Sequence, residues 1–269
     1  MIEIKNMSLT NKCNLDCVYC LTSHKKYPVS NISFDFIMNR ILDLYDKQII
    51  TFKSIKFDRG EPLIYYNELK KLYSFFNNHT DITTSVLNTN GKLLDEEKIK
   101  FINDHNITLH VSYDGRNSEE LRGYNVLKDK FKLLLKANSL GFISVVTNKS
   151  YPYSDVLNSM TSFATAYKLY HKKNLLVLFN ELQTFDLDKN KELVLDPKIR
   201  DQQIEWCKAV KNIDSIYLPI SDNYRFYNIM MQDGSIEEYV FGTYYYVGNI
   251  FDEDIAEKIE LYEIKKRMS

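Results

Sequence analysis

Six β-like runs separated by helix-like runs predict an α/β chain with a parallel sheet, a partial (β/α)6 TIM-like barrel. Two further observations carry that prediction. A length of 269 residues suits one barrel with a small appendage. Polar and glycine-bearing motifs also follow several of the β-like runs, where such folds keep their chemistry.

The elements follow from residue periodicity. Ile2–Leu9 alternates apolar and polar residues and reads as a strand. Ser33 is a plausible N-cap for a helix with apolar positions Phe34, Ile37, Ile41, Leu42, Leu44 and Tyr45. Phe52–Phe57 reads as a strand ending at Asp58-Arg59-Gly60, and Leu69, Leu72, Tyr73 and Phe76 recur at helical intervals. Thr83–Leu87 is β-rich, Asp95–Asp104 helical, Ile107–Tyr113 β-like and Tyr124–Ser139 helical, with Gly141 as a helix stop. Phe142–Thr147 and Leu175–Asn180 complete the six strands, with Tyr153–Tyr170 between them. After about Asn190 the texture changes. Asp196–Ile213 reads as a helix, Ile216–Ile220, Phe226–Met231 and Glu237–Val247 as β-rich runs, and Asp252–Arg267 as a charged amphipathic helix. The expected division is residues 1–190 for the barrel and 191–269 for an α+β subdomain packed on it.

Composition excludes some functions. Hydrophobic residues make up 44% and charged residues 26%, ordinary for a globular protein. A formal net charge of -1 gives no electrostatic case for nucleic acid as partner. No apolar stretch reaches membrane-spanning length, so no membrane partner is expected. Clustered free thiols suit a reducing compartment, and the cytoplasm is the expected location.

Those thiols are Cys13, Cys17 and Cys20, a C-x3-C-x2-C run after the first strand. Three thiolates can converge on one iron–sulfur cube without completing its ligation, since protein sites of that type are usually closed by four cysteines. An iron left open can take a substrate or cofactor, as catalytic metal sites do. A zinc site closed by His24 is the other reading of the same run. A disulfide framework is disfavoured, because the remaining cysteine, Cys207, lies far away.

The run resembles the signature of the radical S-adenosylmethionine (radical SAM) superfamily, and other motifs extend the resemblance. Arg59-Gly60-Glu61-Pro62 is similar to that family's Gly-Gly-Glu-Pro segment, with Arg59 in place of the first glycine. Asn88-Thr89-Asn90-Gly91 resembles the Thr-Asn-Gly element of the peptide-modifying branch. Ser112-Tyr113-Asp114-Gly115 followed by Arg122 resembles its Ser-x-Asp-Gly…Arg pattern. The resemblance implies a [4Fe–4S] cluster on Cys13, Cys17 and Cys20, with SAM on the open iron. It implies SAM contacts from Tyr19 (adenine), Gly60, Glu61 and Pro62 (amino group), Thr89 and Asn90, Ser112 and Asp114 (ribose and methionine), and Arg122 (carboxylate). The plain readings stay open: a strand-to-helix turn at Gly60, an Asn-Gly turn at Asn90, and a helix-surface charge at Arg122.

Phe226–Ile236 with its Asp233-Gly234 turn, followed by Gly248-Asn249-Ile250, looks like the SPASM extension of peptide-modifying relatives. The cysteine expected near Tyr239 is missing and none follows Cys207, so no auxiliary cluster is expected. The resemblance implies reductive cleavage of SAM to a 5'-deoxyadenosyl radical and hydrogen abstraction from a ribosomally made peptide. The alternatives are a small molecule such as a sugar or aminocyclitol, or a non-catalytic iron–sulfur or zinc protein. A flavodoxin- or ferredoxin-type one-electron donor is an expected partner. Cys13 lies so near the start that a leader-peptide-binding domain is expected on a separate partner, if one is needed. Cys207 reads either as a hydrogen-atom donor to a substrate radical or as a buried apolar residue beside Trp206.

Overall fold

The computed structural model of the chain describes residues 1–20, 33–79, 82, 84–182, 191–210, 212–213, 215–218, 225–240 and 243–268. His24, Thr83 and the end of the predicted strand Ile216–Ile220 lie outside the described residues. In chain order the strands are β1 (Ile2–Ser8), β2 (Ile50–Thr51), β3 (Ser54–Phe57), β4 (Thr84–Thr89), β5 (Thr108–Ser112), β6 (Leu140–Val146), β7 (Leu175–Glu181), β8 (Asn212–Ile213), β9 (Ile216–Tyr217), β10 (Arg225–Met230), β11 (Ser235–Val240) and β12 (Thr243–Asn249). The helices are α1 (Phe34–Asp46), α2 (Tyr66–His79), α3 (Glu96–Asp104), α4 (Ser118–Arg122), α5 (Val126–Leu134), α6 (Tyr153–His171), α7 (Pro197–Val210) and α8 (Ile255–Met268). Two compact units result, one of residues 1–12, 25–86 and 223–269, the other of residues 13–24 and 87–222.

In the first unit the strand order is β12-β11-β10-β1-β3, with β2 also pairing β1. β1 runs parallel to β3 and to β10, and its Ile4 and Met7 are fully buried. α1 starts where Ser33 accepts the N–H of Phe36, and it buries Ile37, Ile41 and Leu44. α2 buries Leu69, Leu72 and Phe76, and Phe76 meets Phe52 edge-on with centroids 5.0 Å apart. α8 is tied to β11 through Glu238, 1% exposed, which accepts from Tyr262 Oη at 2.9 Å and Lys266 Nζ at 2.8 Å.

The second unit has parallel neighbours β5-β6-β7-β9, with β8 antiparallel on β9, and β4 beside β5. β6 is buried along almost its whole length, as a parallel strand covered on both faces must be. α6 buries Val156, Met160 and Phe163, the last stacking edge-on against Phe142 of β6 at 5.4 Å.

Several boundaries differ from the sequence reading. The strand expected over Phe52–Phe57 is shorter, β3, and a separate two-residue strand, β2, precedes it; each pairs with β1. The β-rich run Glu237–Val247 falls in a hairpin, β11 antiparallel to β12. The helix expected over Tyr124–Ser139 is shorter, α5, capped by Asn125, and α4 precedes it, ending at Gly123 with φ 68°. The helix expected over Asp196–Ile213 stops at Val210, and Asn212–Ile213 turns into β8. Gly141 is not a helix stop. It lies inside β6, where an added Cβ would stand 2.9 Å from Leu176 and 3.0 Å from His110. Close strand packing, not chain reversal, accounts for that glycine.

Candidate functional site

Cys13, Cys17 and Cys20 fall on a short turn after β1, with the N–H of Cys20 donating to the carbonyl of Cys17 at 2.9 Å. Cys17 is buried, and Cys13 and Cys20 are partly exposed. Burial pushes the Cys17 thiol up to about 11; Arg122 draws it down, while Cys20 and Cys13 raise it further. Cys13 and Cys20 thus lie near enough to Cys17 for their charge to oppose its ionisation. Bound metal relieves that opposition, since a coordinating thiol gives up its proton. Among the described residues no three His, Cys, Asp or Glu side chains converge as on a single metal ion. A cube spreads its cysteines over different irons, so three cysteines outside any disulfide on one turn, two of them partly open to solvent, fit such a group.

The turn is held from one side by a buried charge pair. Arg122, at the end of α4, donates from Nε to Asp114 Oδ2 at 2.7 Å and from Nη2 to Oδ1 at 3.2 Å. Asp114 also accepts from Ser144 Oγ at 3.2 Å, from the N–H of Val145 at 2.9 Å, and from the Tyr19 hydroxyl. Five donors use up the acceptor capacity of one carboxylate. The Arg122 guanidinium lies 5.3 Å from the centre of the Tyr19 ring, and the N–H of Val18 donates to the Leu121 carbonyl at 3.0 Å. Burial works against the Arg122 charge, but Asp114 and Tyr19 more than offset it, so the guanidinium stands above the usual arginine pKa. Burial likewise holds the Tyr19 phenol well above its usual value, with Asp114 adding to the rise. The pair Asp114–Arg122 thus anchors the Val18-Tyr19 segment between two of the cysteines.

Thr89 and Asn90 lie at the C-terminal end of β4, where Thr89 Oγ1 accepts the N–H of Gly91 at 3.1 Å. Asn90 Nδ2 lies 2.7 Å from Asn14 Oδ1 and 3.6 Å from Cys13 Sγ. Ser112 closes β5, two residues before Asp114. Cys207 sits on α7, where burial pushes its thiol up to about 11.

The remaining motif belongs to the first unit. Asn6 Nδ2 donates to Asp58 Oδ2 at 2.8 Å, and two left-handed residues follow, Arg59 at φ 63° and Gly60 at φ 53°. The N–H of Glu61 donates to the Lys12 carbonyl at 2.8 Å, and an added Cβ on Gly60 would stand 2.4 Å from that same oxygen. Glu61 is fully buried and caps the helical turn that Pro62 begins, accepting from the N–H of Leu63 at 3.1 Å. Arg59, which stands where the family motif has glycine, bonds Glu237 of β11 at 2.9 Å and Met230 Sδ at 2.9 Å. A left-handed L-residue costs about 1–2 kcal/mol. Glycine at this position would remove that strain but leave the largely buried Glu237 carboxylate without this countercharge.

Asn14, Ser144, Val145 and Glu237 are partners that sequence reasoning missed. Asn14 was visible inside the cysteine run, whereas Ser144 and Val145 sit in an apolar strand without any signal.

Residues 7–160 match the profile of the Radical SAM superfamily, so the chain belongs to that superfamily. The family works with a [4Fe–4S] cluster and SAM. The chain is 26% identical over 223 residues to the radical SAM cyclopropyl synthase TigE of Paramaledivibacter caminithermalis, covering 72% of this chain and 46% of that protein. It is 29% identical over 163 residues to an uncharacterized protein of Methanocaldococcus jannaschii, covering 55% of this chain and 54% of the relative. It thus spans about half the length of these curated relatives. The structure of anSMEcpe with bound AdoMet and the Cp18Cys peptide superimposes with a TM-score of 0.69 at 18% identity, covering 97% of this chain and 80% of that one. That likeness establishes the fold, α/β of the partial TIM-like barrel class. Among the described residues no helix is long and apolar enough to cross a membrane.

Proposed function

We propose that the chain cleaves SAM reductively and uses the resulting radical to modify a ribosomally made peptide, in the cytoplasm. Cys13, Cys17 and Cys20 would hold the cluster, and its remaining coordination site would be available to SAM. When bound, cluster and cofactor supply the electron and the 5'-deoxyadenosyl radical that removes a hydrogen atom from substrate. The protein's own residues bind, orient and exclude water. The residues assigned to SAM contacts are Tyr19, Gly60, Glu61, Pro62, Thr89, Asn90, Ser112, Asp114 and Arg122, and Cys207 is available as a hydrogen donor. SAM chemistry is assigned to residues 1–190 and the substrate-related extension to residues 191–269. A one-electron donor of flavodoxin or ferredoxin type, and a separate leader-binding protein where the peptide carries a leader, complete the system.

The observation that supports a peptide over other substrates is the C-terminal hairpin. Its Asp-Gly and Gly-Asn-Ile elements close on one another: Asn249 Nδ2 donates to the Asp233 carbonyl at 2.8 Å and the N–H of Ile250 to the Gly234 carbonyl at 2.9 Å. That scaffold resembles the SPASM extension of peptide maturases, and a structural neighbour carries a bound peptide. No cysteine follows Cys207 in this sequence, so the proposed chemistry uses no auxiliary cluster and leaves the substrate's oxidation level unchanged, as epimerisation does, with SAM and electrons from the one-electron donor consumed. A small-molecule substrate is the second reading, favoured by 25% identity over 149 residues to the GTP 3',8-cyclase of Aquifex aeolicus.

The test is turnover by anaerobically reconstituted enzyme with dithionite, SAM and a short peptide encoded beside its gene. The expected result is 5'-deoxyadenosine formation stimulated by the peptide, with an altered peptide in the mass spectrum. Stimulation by sugars, aminocyclitols or nucleotides, with the peptide inert, overturns the peptide assignment.

A further inference from the structure

We infer that Asn90 tunes the iron–sulfur cluster by donating its side-chain N–H to the sulfur of Cys13. This rests on the reading that Cys13, Cys17 and Cys20 hold the cluster.

The orientation of the Asn90 amide is fixed by its neighbours. A backbone N–H can only donate, and that of Lys92 lies 2.9 Å from one end of the amide, which must therefore be the oxygen, Oδ1. The opposite end is then Nδ2, with two hydrogens. It lies 2.7 Å from Asn14 Oδ1 and 3.6 Å from Cys13 Sγ, a reach suited to a sulfur acceptor. Asn90 is only 9% exposed at the end of β4, so water competes little for those hydrogens. Cys13, Asn14, Asn90 and Lys92 all belong to one compact unit.

Ligation strengthens the case. As a thiol, Cys13 can donate to Asn14 Oδ1, 4.0 Å away. As an iron-bound thiolate it has no proton, and Asn14 Oδ1 can no longer receive from it. The sulfur becomes an acceptor, and Asn90 already presents a donor. Negative charge on the ligand sulfurs grows when the cluster takes an electron, so an N–H aimed at one of them stabilises the reduced state and raises the reduction potential. The role is distinct from a contact with SAM, because it acts on the cluster before SAM binds.

The experiment is a potentiometric titration of the SAM-free, anaerobically reconstituted protein, followed by electron paramagnetic resonance, with iron and sulfide assayed on each sample. Wild type, Asn90→Ala and Asn90→Asp are compared. Asn90→Asp keeps an oxygen for the Lys92 N–H and the same side-chain size while removing the donor, so it guards against a folding defect in Asn90→Ala. At the poise where wild type is half reduced, Asn90→Ala is expected to show a reduced-to-oxidised ratio about five-fold lower, the factor that one hydrogen bond of ordinary net strength represents. Asn90→Asp is expected to fall further, because it places an anionic oxygen against the sulfur. Both variants titrating with wild type overturns the inference, even where SAM affinity drops, since that pattern marks a SAM contact alone. A wild-type protein that carries no cluster overturns the cysteine assignment instead.

Discussion

Arg122→Met is expected to destabilise the fold by about 3–5 kcal/mol, because it leaves the Asp114 carboxylate buried without its countercharge. The effect extends to the cysteine turn. The Tyr19 hydroxyl rests on that carboxylate and the Val18 N–H on the carbonyl of Leu121, next to Arg122. The reconstituted variant should therefore hold less iron per chain than wild type even where it remains folded. Asp114→Asn alone strands the guanidinium and should also be costly. The double change Asp114→Asn/Arg122→Met removes both charges, so its loss should be smaller than the sum of the two single losses. Urea denaturation of the four proteins, followed by circular dichroism, checks this. A loss below about 1 kcal/mol for Arg122→Met would place the pair among weak surface bridges and contradict the anchoring role.

The second large effect is expected at Gly60. Alanine there has to adopt a left-handed backbone, about 1–2 kcal/mol, and its Cβ meets the carbonyl oxygens of Lys12 at 2.4 Å and Thr10 at 2.6 Å. Both obstacles are backbone atoms, so no side chain can swing away, and overpacking adds about 1–3 kcal/mol. The loop must shift, which breaks the Glu61–Lys12 hydrogen bond and displaces the buried Glu61 carboxylate. Gly60→Ala should lower thermal stability and weaken SAM binding together, measured by scanning fluorimetry with and without SAM. At Gly123 an added Cβ meets nothing within 4 Å, so Gly123→Ala bears only the backbone cost and serves as the comparison. Equal losses for the two variants would refute the close-approach explanation for Gly60.

What could be read from the sequence was what lies close together along the chain. The cysteine run, the Ser33 cap, the strand-end motifs and the apolar faces of α1 and α2 each show a local pattern that needs no knowledge of the fold. The failures are long-range. Nothing near Asp114 announces that Ser144 and Val145, thirty positions on, supply two of its donors. Arg59 read as a departure from a motif, and only the strand order shows why it stays, since β10 and β11 bring Met230 and Glu237 to it. Gly141 misled for a related reason. A glycine after a helical stretch looks like a stop, whereas here the pressure for a missing side chain comes from Leu176 on the neighbouring strand.

The account turns on three cysteines holding a cluster with one iron open to SAM, and the most direct measurement is electron paramagnetic resonance of the dithionite-reduced protein before and after SAM is added. The expected wild-type result is about four irons per chain, a reduced-cluster signal that shifts when SAM binds, and 5'-deoxyadenosine in the quenched sample, with all three lost in Cys17→Ala. A signal indifferent to SAM, as from a centre ligated wholly by protein, or undiminished 5'-deoxyadenosine from Cys17→Ala, would contradict it.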